Sequence, residues 1–193
     1  MTNNTWRVFI AVELPTEVRE RIMDHVKRLR ELLPEAQASW TRPENIHLTL
    51  KFLGETSSAR VEKLSEATAR AVTEFKPFNI QVAGSGLFPS RSAPKVLWLG
   101  IKDADCNLAR LHARLDEECF LQGFKKEKRS FHPHLTVARL RKPSDARLLA
   151  SAHKQVEFEA VEFEIAELLV IRSELSSAGS RYTTISRHRL DAE

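Results

Sequence analysis

Two tetrapeptides constrain this chain more than any other feature of it: His47-Leu48-Thr49-Leu50 and His134-Leu135-Thr136-Val137. Each reads His, apolar, Thr, apolar. A strand turns residues i and i+2 to one face and i+1 and i+3 to the other, so each His and Thr share a face opposite two core-facing residues. With 42% hydrophobic residues and 7 histidines, two such matches by accident have a probability of roughly 0.002 on composition. The same elements also surround both motifs. Helix, His-bearing strand, helix and strand run from Thr16 to about Leu87, and again from Asp103 to Ile171. Each half is too small to close a core comfortably by itself. The pattern predicts an α+β fold in which two similar halves pack as two lobes around a central groove.

Periodicity and capping residues supply the individual elements. Strands are expected over Trp6 to Glu13, Ile46 to Leu53 with Gly54 closing it, Phe78 to Val82, Val96 to Ile101, His134 to Leu140, Phe158 to Ile171 and Tyr182 to Leu190. Helices are expected from a Thr16 cap to about Leu33, from Ser58 to about Phe75, from an Asp103 cap to about Leu121, and from Pro143-Ser144 to about His153. Gly84-Ser85-Gly86 lacks the Lys-Ser/Thr of a phosphate loop and reads as a bend in a strand.

A chain of 193 residues with 29% charged residues and only 6 Gly and 8 Pro can bury a proper core, which excludes a disordered or collagen-like protein. No linker divides it, so residues 1–193 are expected to form a single bilobal domain. No window reaches the roughly 18 consecutive apolar residues of a membrane span. Val8 to Val12 is short, stopped by Glu13 and followed by no cleavage site. A cytoplasmic protein with no membrane association is the expectation. Cys106 and Cys119 are read onto one helix, 13 residues and therefore about 20 Å apart. That separation excludes a bond between them and suggests buried, reduced thiols.

The net charge of +4 says little about partners, but its distribution says more. Lys125, Lys126, Lys128, Arg129, Arg139, Arg141 and Lys142 form a basic stretch broken by one acid, Glu127. Such a stretch suits an anionic ligand such as a nucleic acid. Two histidines facing one groove suit acid–base chemistry near neutral pH: one ring takes a proton from water and the other gives one to a departing oxygen. Thr49 and Thr136 offer hydroxyls to phosphoryl oxygens, and Arg139 and Lys51 are candidate cations for the developing charge. Lys51 reads as more solvated than catalytic.

The stretches 47–55 (HLTLKFLGE) and 131–139 (FHPHLTVAR) resemble the 2H phosphoesterase superfamily, and within it the bacterial and archaeal RNA 2′,3′-cyclic phosphodiesterases, also known as 2′-5′ RNA ligases. The resemblance extends over 9–15 (FIAVELP), 84–89 (GSGLFP), 96–100 (VLWLG) and the closing Ser173-Glu174-Leu175 with Gly179 and Tyr182. It implies a bilobal α+β fold, two antiparallel sheets with flanking helices related by a pseudo-twofold internal duplication around a central groove, and a metal-independent hydrolase without cofactor. The implied substrate is RNA ending in 2′,3′-cyclic phosphate, tRNA fragments among the candidates, and the product a 2′-phosphate. It further implies His47 as proton donor, His134 as proton acceptor, and Thr49, Thr136 and Arg139 as substrate-binding residues. A monomer is expected. Ligation through a 2′-5′ bond at the same site, or an RNA- or nucleotide-binding module with inert histidines, are the alternatives. His132 could in principle join His134 and His47 as metal ligands, but Pro133 perturbs the strand there and no acid or Cys stands nearby. His25, His112, His153 and His188 read as surface or packing residues.

Overall fold

The structure, a computed structural model, describes residues 4–90, 93–177 and 179–190. Among the described residues, nine strands and four α-helices follow one another as β1 (Thr5–Glu13), α1 (Thr16–Leu32), β2 (Ala38–Trp40), β3 (His47–Ser57), α2 (Ser58–Val72), β4 (Phe78–Phe88), β5 (Val96–Lys102), α3 (Asn107–Leu121), β6 (His134–Leu140), α4 (Pro143–Gln155), β7 (Val161–Ile165), β8 (Glu167–Ser176) and β9 (Gly179–Arg189). A 3-10 turn, Pro43–Asn45, precedes β3.

The strands form two antiparallel sheets, β3-β1-β8-β9 and β2-β6-β5-β4-β7. Neither sheet is built from one half of the chain. β4, which closes the first half, pairs with β5 and β7 of the second. β8, from the second half, pairs with β1 of the first. The halves therefore exchange strands, and the edge strand β2 adds a further cross-connection by pairing with β6. The duplicated order of elements survives as this reciprocal exchange.

Several boundaries differ from the sequence expectation, each for a local reason. The single strand expected from Phe158 to Ile171 is two strands in different sheets, with Ala166 as the crossing residue. β7 alternates buried and exposed, whereas Leu168 to Ile171 in β8 are all buried because both faces are covered. Gly54 does not end β3. It takes φ +68° inside the strand, which runs on to Ser57. Gly84 behaves alike at φ +75°, where the β4–β5 register slips, and so bends the strand as expected. Thr16 is the first helical residue, and Pro15 stands at the cap without a side-chain bond. Asp103 caps α3 from further upstream: its Oδ2 accepts the Leu108 N–H at 2.7 Å, while Cys106 takes a left-handed φ of 55° just before the helix. Cys106 is thus exposed and outside the helix, contrary to the buried pair expected. Cys119 is buried, which pushes its thiol up to about 12.

Helices cover the outer faces in mixed pairs. α2 and α3 lie together on the first sheet, while α1 and α4 pack against the second. α1 turns Val18, Ile22, Val26 and Leu29 inward at helical spacing. Each pair is joined by a buried polar contact. Glu118 of α3 accepts from Arg70 of α2 at 2.8 Å and lies 3.0 Å from Arg114. Between α1 and α4, the fully buried rings of His25 and His153 bond through Nε2 and Nδ1 at 3.0 Å. His153 Nε2 then donates to the Trp98 carbonyl oxygen at 3.0 Å, so His25 is the donor in the pair. Neither is a surface residue.

Burial holds His25 at about 4, below its ordinary 6.5, with repulsion from His153 and Arg28 adding to the effect. His153 is lowered by burial as well. The unfolded chain therefore takes up protons that the folded chain refuses. Stability is fully present above pH 6.5 and is lost as pH falls toward 4, by roughly 3 kcal/mol for His25. The urea midpoint is expected to drop over this range, and a His25→Leu variant to show a shallower slope. An identical slope in that variant would remove the pair as the cause.

Candidate active site

β3 and β6 bring the two motifs to the groove with the same irregularity. Over their first seven residues the burial sequence is identical: half-buried His, buried, half-buried Thr, two buried, one exposed, one half-buried. On β3 the pairing passes from Thr49 opposite Ala11 to Lys51 opposite Ile10, leaving Leu50 as an extra residue. On β6 it passes from Thr136 opposite Trp98 to Ala138 opposite Leu97, leaving Val137 extra. Each bulge reverses the alternation beyond it. Arg139, at an odd spacing from His134, is thereby returned to the face of His134 and Thr136. Its counterpart on β3 is Phe52, which is also exposed to the groove.

The reversal sends Lys51 the other way. Its side chain is buried, ion-paired to Asp116 of α3 and bonded to the Lys125 carbonyl oxygen at 3.0 Å. It is neither solvated nor near the developing charge, which corrects both sequence readings. The pairing also holds the Asp116 carboxyl below its ordinary range against the opposing effect of burial.

The two imidazoles are held by one device used twice. His47 Nδ1 lies 2.8 Å from the Asn45 carbonyl oxygen, and His134 Nδ1 lies 2.7 Å from that of His132. A carbonyl oxygen only accepts, so both Nδ1 atoms carry the proton and both Nε2 atoms keep a lone pair. Aromatic rings fix the planes. Phe9 stacks on His47 at 4.7 Å with Tyr182 edge-on at 5.3 Å, while Phe88 and Trp98 meet His134 edge-on at 4.9 and 6.1 Å. Phe9 belongs to a small second cluster with Ala11, Leu169 and Ile171, which seats the His47 side of the groove on packed side chains.

Burial lowers His47 to about 4, outweighing its bond to Asn45, and the charge of His134 lowers it further. His134 is lowered chiefly by burial, with His132 and Arg139 repelling its charged form. Both rings are therefore neutral at pH 7 in the free groove. His132 does not turn toward His47. Its ring lies against Phe88 and Trp98, 5.5 and 5.1 Å between centroids.

The groove encloses about 830 Å³ and contains His47, Thr49, His134, Thr136 and Arg139 together. Arg7, Arg42 and Arg129 join Arg139 on its walls, and no Asp or Glu lines it among the described residues. The basic stretch read from the sequence is divided. Arg129 and Arg139 reach the groove, Lys126 pairs with Glu117, and Arg141 donates to Ser39 at 2.8 Å. Arg7 and Arg42 come from the first half and stand in no basic run, so no spacing signal marked them. Phe9, Phe52 and Tyr182 were likewise unmarked, as their roles arise from strand pairing.

These features define a site for phosphate ester chemistry. Residues 12–98 and 99–182 each match the model of the LigT-like phosphoesterases, and the chain belongs to this family. It is 33% identical over 187 residues to the RNA 2′,3′-cyclic phosphodiesterase of Methanothermobacter thermautotrophicus, covering 95% of this chain and 98% of that one. Its fold is similar to the TT0787 protein of Thermus thermophilus, with a TM-score of 0.78, 25% identity, and 97% and 99% of the two chains covered. It is also similar to E. coli LigT complexed with 3′-AMP, with a TM-score of 0.74, 29% identity and the same coverage. No helix among the described residues is long and apolar enough to cross a membrane.

Two neutral rings among arginines have a measurable consequence. An anion between them favours the charged form of an imidazole. Inorganic phosphate or a nucleotide phosphate is expected to bind with uptake of a proton at pH 7, and more weakly as pH rises. Calorimetry in two buffers of different ionisation enthalpy reads this directly. Binding without proton uptake would contradict the neutral assignment.

Proposed function

We propose that this chain, acting as one bilobal unit, hydrolyses RNA ends bearing a 2′,3′-cyclic phosphate and leaves a 2′-phosphate. The observation that carries this reading is the pair of imidazoles with free Nε2 lone pairs in one arginine-lined groove without carboxylates among the described residues. The cyclic phosphodiesterase relative and the nucleotide complex of E. coli LigT support it. In the step, water adds to phosphorus while His134 Nε2 takes its proton. The bond from phosphorus to O3′ breaks, and His47, charged in the complex, delivers the Nε2 proton to that oxygen. Arg139 and the hydroxyls of Thr49 and Thr136 hold the non-bridging oxygens as charge develops. The ring strain of the cyclic ester favours its opening, so no metal or cofactor is assigned to the step.

The difference between the two strands orients the substrate. At matching positions the second half offers Arg139 and the first half the exposed ring of Phe52, with the Arg7 guanidinium 4.9 Å from its centre. Arg139 suits the phosphate, while the Arg7 guanidinium stacked on the Phe52 ring offers a base a planar cationic surface. The phosphate is therefore held on the His134 side, where water is activated, and the departing O3′ lies toward His47.

Turnover of 2′,3′-cyclic nucleotides and cyclic-ended oligonucleotides, with and without chelator, is the direct test. His47→Ala and His134→Ala are each expected to lower kcat by about 10² to 10⁴, and the double variant by much less than the product. Wild-type turnover in either single variant would sink the assignment. A nitrophenyl phosphodiester separates the roles, because nitrophenolate leaves without a proton. His47→Ala should keep much of its activity on it while His134→Ala stays impaired, and the reverse pattern would exchange the roles.

Oligonucleotides should also show a steeper salt dependence than mononucleotides, since they reach beyond the reacting phosphate. Arg129→Gln is expected to lower that slope by about 1. Equal slopes for both substrate sizes would remove Arg129 from RNA binding.

A further inference from the structure

The segment that leads into His47 is tied to both sheets. At one end, β2 pairs with β6, and the Thr41 N–H donates to the Val137 carbonyl oxygen at 3.0 Å. The chain then makes its 3-10 turn, closed by the Asn45 N–H donating to the Arg42 carbonyl oxygen at 2.9 Å. On the other sheet, Asn45 Nδ2 donates to the Ser180 carbonyl oxygen at 3.1 Å. Arg42 flanks the same spot, where Gly179 takes φ +116° and a Cβ would sit 3.5 Å from the Arg42 Cζ.

Asn45 therefore makes two contacts that both end at His47. Its backbone oxygen accepts the Nδ1 proton of that ring. Its carboxamide grips β9 two residues before Tyr182, whose ring meets His47 edge-on. The second half handles the equivalent position differently. His132 supplies the same carbonyl bond to His134, but its side chain rests on Phe88 and Trp98.

We propose that Asn45 is a positioning residue for His47: its cross-link to β9 keeps the Asn45 carbonyl opposite Nδ1 and so keeps the reacting Nε2 turned to the groove. The 3-10 turn lies between the β2 and β3 ladders, so the direction of the Asn45 carbonyl is set by the turn's own contacts and not by strand pairing. Without the carboxamide bond, the carbonyl and the Tyr182 ring lose their common reference, and the imidazole can exchange tautomers. His134 has no share in this bond and is the internal control. The kinetic consequence rests on the proposed role of His47 as proton donor, whereas the tautomer does not.

Nitrogen NMR of the full chain with labelled histidine, at pH 7 and without substrate, tests the proposal in wild type, Asn45→Ala and the isosteric Asn45→Asp, which replaces the donor by an acceptor. The wild type should show a protonated Nδ1 and an unprotonated Nε2 on both His47 and His134. In both variants His47 alone should move toward averaged tautomers. With a cyclic nucleotide, kcat should fall about tenfold, while KM changes by less than about threefold. Unchanged His47 signals in both variants would overturn the proposal. So would equal disturbance of His47 and His134, which would mark Asn45 as a general structural residue. A wild type without cyclic-phosphate turnover would fail the functional reading alone, since the ring signals are recorded without substrate.

Discussion

The bulge after each His-x-Thr motif governs what the groove contains. A regular strand would place Lys51 and Ala138 on the groove face and turn Phe52 and Arg139 into the core. One extra residue, Leu50 or Val137, reverses that order. The arginine then stands beside the histidine and threonine, and the lysine is buried against Asp116. Burying a lysine is costly without a partner, so the ion pair and the bulge depend on each other. Strand irregularity, core electrostatics and site composition are thus one constraint.

A symmetric scaffold carries an asymmetric site. Both histidines use the carbonyl two residues upstream, which leaves their Nε2 atoms equivalent. The surroundings break the equivalence. His134 shares its side with Arg139 and His132, both of which oppose its charged form. His47 faces Phe9 and Tyr182 and has Phe52 where the other strand has arginine. In the proposed hydrolysis, this difference would favour one direction of proton passage across the phosphate. Duplication supplies the two matched histidines, and divergence at one register position sets Arg139 against Phe52.

The exchange of strands explains why the groove holds its shape. Each sheet contains a strand from the other half, so a displacement of one lobe strains ladder hydrogen bonds in both. The helix pairs repeat the arrangement, with Glu118 between arginines on one sheet and the neutral His25–His153 pair on the other. The second contact ends on the Trp98 carbonyl, on the residue whose ring backs His134. The buried pair is thus joined to the strand that supports the His134 ring.

Much of this was legible in the sequence. The His-x-Thr spacing is local, and two-residue periodicity alone puts both side chains on one face. The duplicated order of elements requires two lobes, because neither half buries enough surface alone. Arg139 was legible as a nearby cation, but its place on the face of His134 depends on the bulge at Val137. Other features had no local signal. Arg7 and Arg42 enter the groove because β1 and the β2 segment are carried there by pairing, and Lys51 leaves it because a partner in α3 accepts it. The strand expected from Phe158 to Ile171 divides between sheets because each part meets different strands. The chain by itself determined which residues alternate and which motifs repeat, as these follow from backbone geometry over a few residues. Tertiary structure alone decided strand exchange, bulge position and the partner of each charge, because those depend on surfaces brought together from distant parts of the sequence.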